Sequence, residues 1–184
     1  MRSLRRRVPF LIAMTLWIGA GAAVWGVAYV VNGVTQAGAE VVVVVDPTAG
    51  AVLPSSVRLV GTELFAWDST VLEQVLARGD VAVIGLCAGF GAVLLYQLML
   101  SILDGEPFRQ GNSARIAGLA GAVAVAGIVG SALPGLAAAM VLDRLGLTPI
   151  LRPGGNLSWW PGLVALALLG VAQTFRWSSM SATR

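Results

Sequence analysis

VPFLIAMTLWIGAGAAVWGVAYVV, residues 8–31, runs for twenty-four positions without a charge. About 20 helical residues at 1.5 Å each span the roughly 30 Å hydrocarbon layer of a bilayer. This stretch is therefore long enough to cross one. Three further apolar stretches lie at 81–103, 116–142 and 157–177, and only Arg176 interrupts them, near the end of the last. A charge at mid-bilayer costs about 2.5–3.5 kcal/mol on insertion scales, and all four stretches avoid that cost. The expectation is an all-α integral membrane protein of one four-helix domain over 1–184, with a small extracytoplasmic α+β region in the 32–80 loop.

Composition leads to the same solvent. Hydrophobic residues make up 57% of the 184 and charged residues 11%, against roughly 25% charged in a soluble domain. A core of this size cannot hide that excess, so lipid must face much of the surface. The Met1–Arg7 start and the small residues Ala37, Gly38 and Ala39 could also be read as a cleaved signal peptide. Such signals have apolar cores of about 7–15 residues, and twenty-four residues favour retention as a helix.

Arginine counting orients the chain. All twelve basic residues are arginine. With both termini cytoplasmic, Arg2, Arg5, Arg6, Arg7, Arg109, Arg115, Arg176 and Arg184 fall inside, and Arg58, Arg78, Arg144 and Arg152 outside. Seven of the nine acids then lie outside, as the positive-inside rule favours. The expected location is a cell membrane, crossed several times. The pI near 10 is explained by this asymmetry, and no direct nucleic-acid binding is expected.

Within the loop, Val41–Val45 is a five-valine run between Glu40 and Asp46. β-branched residues favour extended backbone, and the flanking acids oppose aggregation. Residues 56–60 read as a second strand. Residues 68–78 read as a short helix with Thr70 and Glu73 at capping-box spacing. A two-stranded hairpin alone is marginal, so it has to lean on the helix ends or on a partner.

In the third stretch Gly118, Ala122, Ala126 and Gly130 recur every fourth residue. Small residues at that spacing let helices approach closely in lipid. Packing within the chain is the simpler use, and homo-oligomerisation the other. Pro134 lies farther along. A straight helix over 116–142 would be about 40 Å long, more than the bilayer needs, so a kink or a turn outside the membrane is expected.

The residues that carry chemistry are scarce. Histidine is absent and Cys87 is the single cysteine, which removes the commonest general base, disulfides and thiolate metal clusters. No nucleotide-binding, zinc-protease or nucleophile-elbow motif occurs. Gln97 and Gln173 in the inner halves of their helices read as interhelical hydrogen-bonding groups first, and as a substrate-binding pair second. The expectation is no enzyme, no cofactor and no metal.

The most informative local pattern joins the second and third stretches. Gly105 and Pro107 break the helix, Phe108 and Arg109 offer an aromatic and a cation, and Asn112 or Ser113 can cap the third helix. With Arg115, these residues resemble the bacterial membrane-protein family known as domain of unknown function 2975, whose members carry a similar G-x-P-F segment and following Asn and Arg after their second helix. The ending Ala172-Gln173-Thr174-Phe175-Arg176 is similar to that family's last helix, although the serine-rich tail departs from it. The resemblance implies a multi-pass membrane protein with a cytoplasmic regulatory partner. Contact residues for such a partner would be Gly105, Pro107, Phe108, Arg109, Asn112 and Arg115. The leading expectation is thus a regulatory or scaffolding membrane protein, and the alternative a small transporter or channel-like subunit.

Overall fold

The computed structural model describes residues 2–46, 57–106, 109, 111–154 and 158–181, with the side chains of these apart from 2–9, 11 and 178–181. It contains four helices, α1 (Arg2–Thr35), α2 (Val71–Leu103), α3 (Asn112–Arg144) and α4 (Trp160–Ser181). Four short strands accompany them: β1 (Val41–Asp46), β2 (Val57–Val60), β3 (Glu63–Ala66) and β4 (Arg152–Pro153). Three helical segments, Ile12–Thr35, Val71–Leu103 and Asn112–Arg144, are long and apolar enough to cross a membrane. α4 is not among them; Gln173, Thr174 and Arg176 lie in its second half.

Contacts gather the chain into two compact units, one of Gly26–Ile84 with Ile128–Ser158, the other of Met1–Trp25, Gly85–Gly127 and Trp159–Arg184. The first unit carries the sheet, in the order β2-β3-β1-β4. β2 and β3 form an antiparallel hairpin, with Val60 opposite Glu63. Its two-residue turn places Gly61 at φ +63°, and Thr62 has no positive φ. That combination is a type II′ turn, which needs Gly at its first position and matches the twist of the strands. β3 pairs antiparallel with β1, from Val41 opposite Ala66 to Val44 opposite Glu63. β4 adds two residues on the far side of β1, and Gly154 N–H donates to Val44 O (2.9 Å).

Strand alternation decides which valines are buried. Val41, Val43 and Val45 point inward with Leu64, Ala66 and Val57, while Val42 and Val44 face out. The inner face meets Ala137, Ala138, Val141 and Leu142 from the end of α3, with Leu147 and Leu151 after it. The sheet therefore leans on helix ends, as a small sheet must. At 33 residues α3 is about 50 Å long; it continues through Pro134, and its last turns form the floor under the sheet.

Several boundaries differ from the sequence reading. The short helix expected at 68–78 and the apolar stretch from 81 are one helix, because Arg78 and Asp80 do not break helical backbone and Gly79 fits beside Leu133. β3 and β4 lie outside the sequence expectation; four residues and two residues are too few for a periodic signal. Of the strand expected at 56–60, 57–60 is present and Ser56 lies outside the described residues. The helix expected from 157 starts at Trp160, with Leu157 outside the described residues.

Buried polar groups in this unit are paired. Thr70 N–H donates to Glu73 Oε2 (2.8 Å) and Glu73 N–H to Thr70 Oγ1 (3.2 Å), the expected capping box. Glu73 Oε1 also accepts from Arg144 Nε (2.8 Å), an ion pair between α2 and α3. The fully buried Gln74 donates to Ser69 Oγ (2.6 Å) and Glu40 O (3.2 Å), and its carbonyl accepts from Arg78. Arg78 in turn donates to Gln36 Oε1 (2.7 Å) and lies over the Tyr29 ring. Among the described residues no buried side-chain nitrogen or oxygen lacks a partner.

Candidate functional site

The α2–α3 connection belongs to the second unit. α2 ends at Leu103, and Gly105 stands just beyond it at φ +80°. Gly105 N–H donates to Ile102 O and Glu106 N–H to Ser101 O, both at 3.1 Å. This pair of bonds is the Schellman motif, in which a left-handed residue, best supplied by glycine, satisfies the last helical carbonyls.

Ser101 strengthens the turn from within. Its Oγ donates to Glu106 O (2.8 Å) and accepts from Asn112 Nδ2 (2.8 Å), and both side chains are buried. Asn112 Oδ1 accepts from Arg115 Nη1 (2.7 Å), which also reaches Gln97 O (3.2 Å). The end of α2 is thereby tied to the start of α3 by a chain of side-chain bonds. On the backbone, Arg109 N–H donates to Glu106 O and Asn112 N–H to Arg109 O, each at 3.1 Å. Asp104, Glu106 and Arg109 remain exposed on the fastened connection.

Of the six contact residues named from the sequence, the structure brings Asn112 and Arg115 together and gives Gly105 the turn. Arg109 is exposed, and Pro107 and Phe108 lie outside the described residues. Asn112, expected at the helix start, spends its amide on Ser101 and Arg115. Ser101 is the member that the sequence does not single out for this role, because a serine in an apolar helix reads as generic polar glue. Gln97 contributes its backbone carbonyl rather than a side-chain pair with Gln173.

Beside the connection lies an open cleft of about 270 Å³ between the first turns of α3 and the second half of α4. Ser113, Gln173 and Arg176 supply its polar lining, and Ala114, Ala117, Leu169 and Ala172 the apolar part. Leu169, Ala172, Gln173 and Arg176 share one face of α4, spaced i, i+3, i+4 and i+7.

Comparison with known proteins finds no relative. No family model, curated protein or solved structure matches the chain. Among the described residues no group of three or more His, Cys, Asp or Glu could hold a metal ion. What the geometry offers chemically is hydrogen bonding and charge at the connection and the cleft.

Proposed function

We propose that this protein is a four-span membrane protein with both termini in the cytoplasm, acting by binding rather than by catalysis, and that the α2–α3 connection is its contact surface for a cytoplasmic regulatory protein. The observation that carries the reading is the buried Ser101–Asn112 bond. It ties the end of α2 to the start of α3, beside which the Asp104, Glu106 and Arg109 side chains stay exposed. A pre-ordered surface loses little entropy on binding, and arginine and aromatic side chains supply a disproportionate share of interface energy. Phe108 and Arg109 are the anchors in this reading. Support for the fourth span is the stretch from Leu157 to Phe175, nineteen residues without a charge, with Trp159 and Trp160 near one end and Trp177 just past the other, the usual placement of interfacial aromatics. Support for the orientation is the eight-to-four arginine split. The likeness to domain of unknown function 2975 agrees with this reading but supplies none of its geometry.

The test compares Phe108→Ala/Arg109→Ala with the unmodified chain, scoring membrane abundance and co-purifying protein from native membranes together. Docking gives normal abundance with the partner lost. Recovery that is unchanged, or that falls only in step with abundance, removes the connection from consideration as a docking surface.

A further inference from the structure

The cleft beside the connection is graded along its length. At one end stand Ser113, in the first turn of α3, and Arg176, in the second half of α4; Ala117 and Leu169 lie one to two turns farther along the same two helices. Both helices therefore pass from polar to apolar in the same direction. Among the described residues no acidic side chain lines the space, and the charged group that does is an arginine. Trp177, adjacent to Arg176, is 73% exposed, as suits an aromatic at the membrane–water interface.

We propose that this cleft binds one anionic phospholipid, with the phosphate held by Arg176, Gln173 and Ser113 Oγ and the upper acyl chain laid against Ala117 and Leu169. Arginine matches phosphate geometry with paired N–H donors, and a neutral amide and a hydroxyl complete a set able to hydrogen-bond phosphate oxygens. The partial positive charge at the start of α3 adds modestly to this. A volume of about 270 Å³ is smaller than the roughly 300–1,000 Å³ of sites that enclose a drug-sized ligand. It suits a headgroup and the root of a chain whose remainder stays in the bilayer. Basic pockets between membrane helices on the cytoplasmic side are a recurring form of lipid recognition. The inference depends on the membrane location proposed above but not on a docked protein.

Native mass spectrometry of the purified full-length chain, in detergent micelles doped with phosphatidylglycerol or phosphatidylcholine, reads the retained lipid directly. One phosphatidylglycerol should stay bound and phosphatidylcholine should not. Arg176→Gln should lower retention by at least about fivefold, the weight of one arginine against an anionic headgroup. Ala117→Leu, at a half-buried position, fills the apolar side without touching the charge and should also lower it. Arg6→Gln, a control for diffuse attraction to the basic amino terminus, should leave it unchanged. Helical circular dichroism of each variant confirms that the fold persists. Equal retention of both lipids, insensitivity to either cleft variant, or an equal loss with Arg6→Gln would overturn the proposal. Release by excess inorganic phosphate would do so too, since the ligand would then be a free anion. Protein partners are not measured, so failure of the docking surface leaves these outcomes unaffected.

Discussion

A carboxylate with 2% of its side-chain surface exposed needs partners where it stands, and Glu73 has one for each oxygen. One oxygen accepts from Thr70 N–H at the start of α2, and the other pairs with Arg144 at the end of α3. The cap is local and weak, about 1 kcal/mol by comparison with similar caps. Removing one partner of a buried pair costs about 3–5 kcal/mol, and the partial exposure of Arg144, 29%, places this pair at or below the lower end of that range. Arg144→Ala should therefore lower the thermal midpoint in detergent clearly more than Thr70→Ala does. Equal shifts from the two variants would show that the ion pair contributes no more than the cap. The spacing of Thr70 and Glu73 makes the cap legible; the partner on α3, far along the chain, is not.

Among elements, the helices are fitted by small residues and finished by glycines. A Cβ added at Gly89 would stand 2.9 Å from Ala23 Cβ and 3.2 Å from Gly19 O, and one added at Gly19 would collide with Ala92. α1 and α2 thus meet nearly backbone to backbone in the second unit. The sequence does carry a signal, since Gly19 with Ala23 and Ala88 with Ala92 both have four-residue spacing. The stripe on α3 has that same spacing, and two of its members do pack inside the chain, Gly118 against Leu94 and Gly130 against Ile84. Gly19→Leu should destabilise by about 1–3 kcal/mol or more through overpacking. Gly121→Ala, which meets nothing within 4 Å, should be neutral or slightly stabilising. Thermal midpoints of the two purified variants decide it, and a tolerated leucine at Gly19 would refute the close crossing. α3 ends as α2 does: Gly146 at φ +67° donates to Asp143 O and Leu147 N–H to Leu142 O, with Leu142 and Leu147 both buried. This is a second Schellman motif with its hydrophobic contact, and it places the helix end under the sheet.

For the whole molecule the proposed orientation rests on where the arginines fall relative to the apolar stretches. If the eight-to-four split sets orientation, reporter fusions after Arg7, Gly111 and Arg184 should report the cytoplasm, and those after Gly50 and Gly155 the exterior. A cytoplasmic signal at Gly50 or an external one at Gly111 would overturn this orientation. Amides of Val41 to Val45 supply a complementary measure: the strand pairs with β3 along Val41 to Val44 and with β4 at its end, and the amides turned toward β3 should exchange slowly with solvent. Fast exchange through that run would mean that the sheet does not hold together in solution.

Hydrophobic length alone determined that three helices of this chain can cross a membrane, because runs of more than 20 residues without charge have few other uses. Local chemistry determined the valine strand, the Thr70–Glu73 cap and the break at Gly105, since each depends on neighbours within a few residues. The tertiary structure decided what distance along the chain conceals. It joined the short helix expected at 68–78 to α2, set β3 between the two expected strands and β4 on the far side of β1, and used the end of α3 as that sheet's floor. At the candidate site, Gly105, Asn112 and Arg115 were legible as a turn and a helix start. Ser101 as the link between them, and Ser113, Gln173 and Arg176 as one lining, were not. Side chains about sixty residues apart converge only through helix packing, and no local spacing rule, which reaches about four residues along a helix, extends that far.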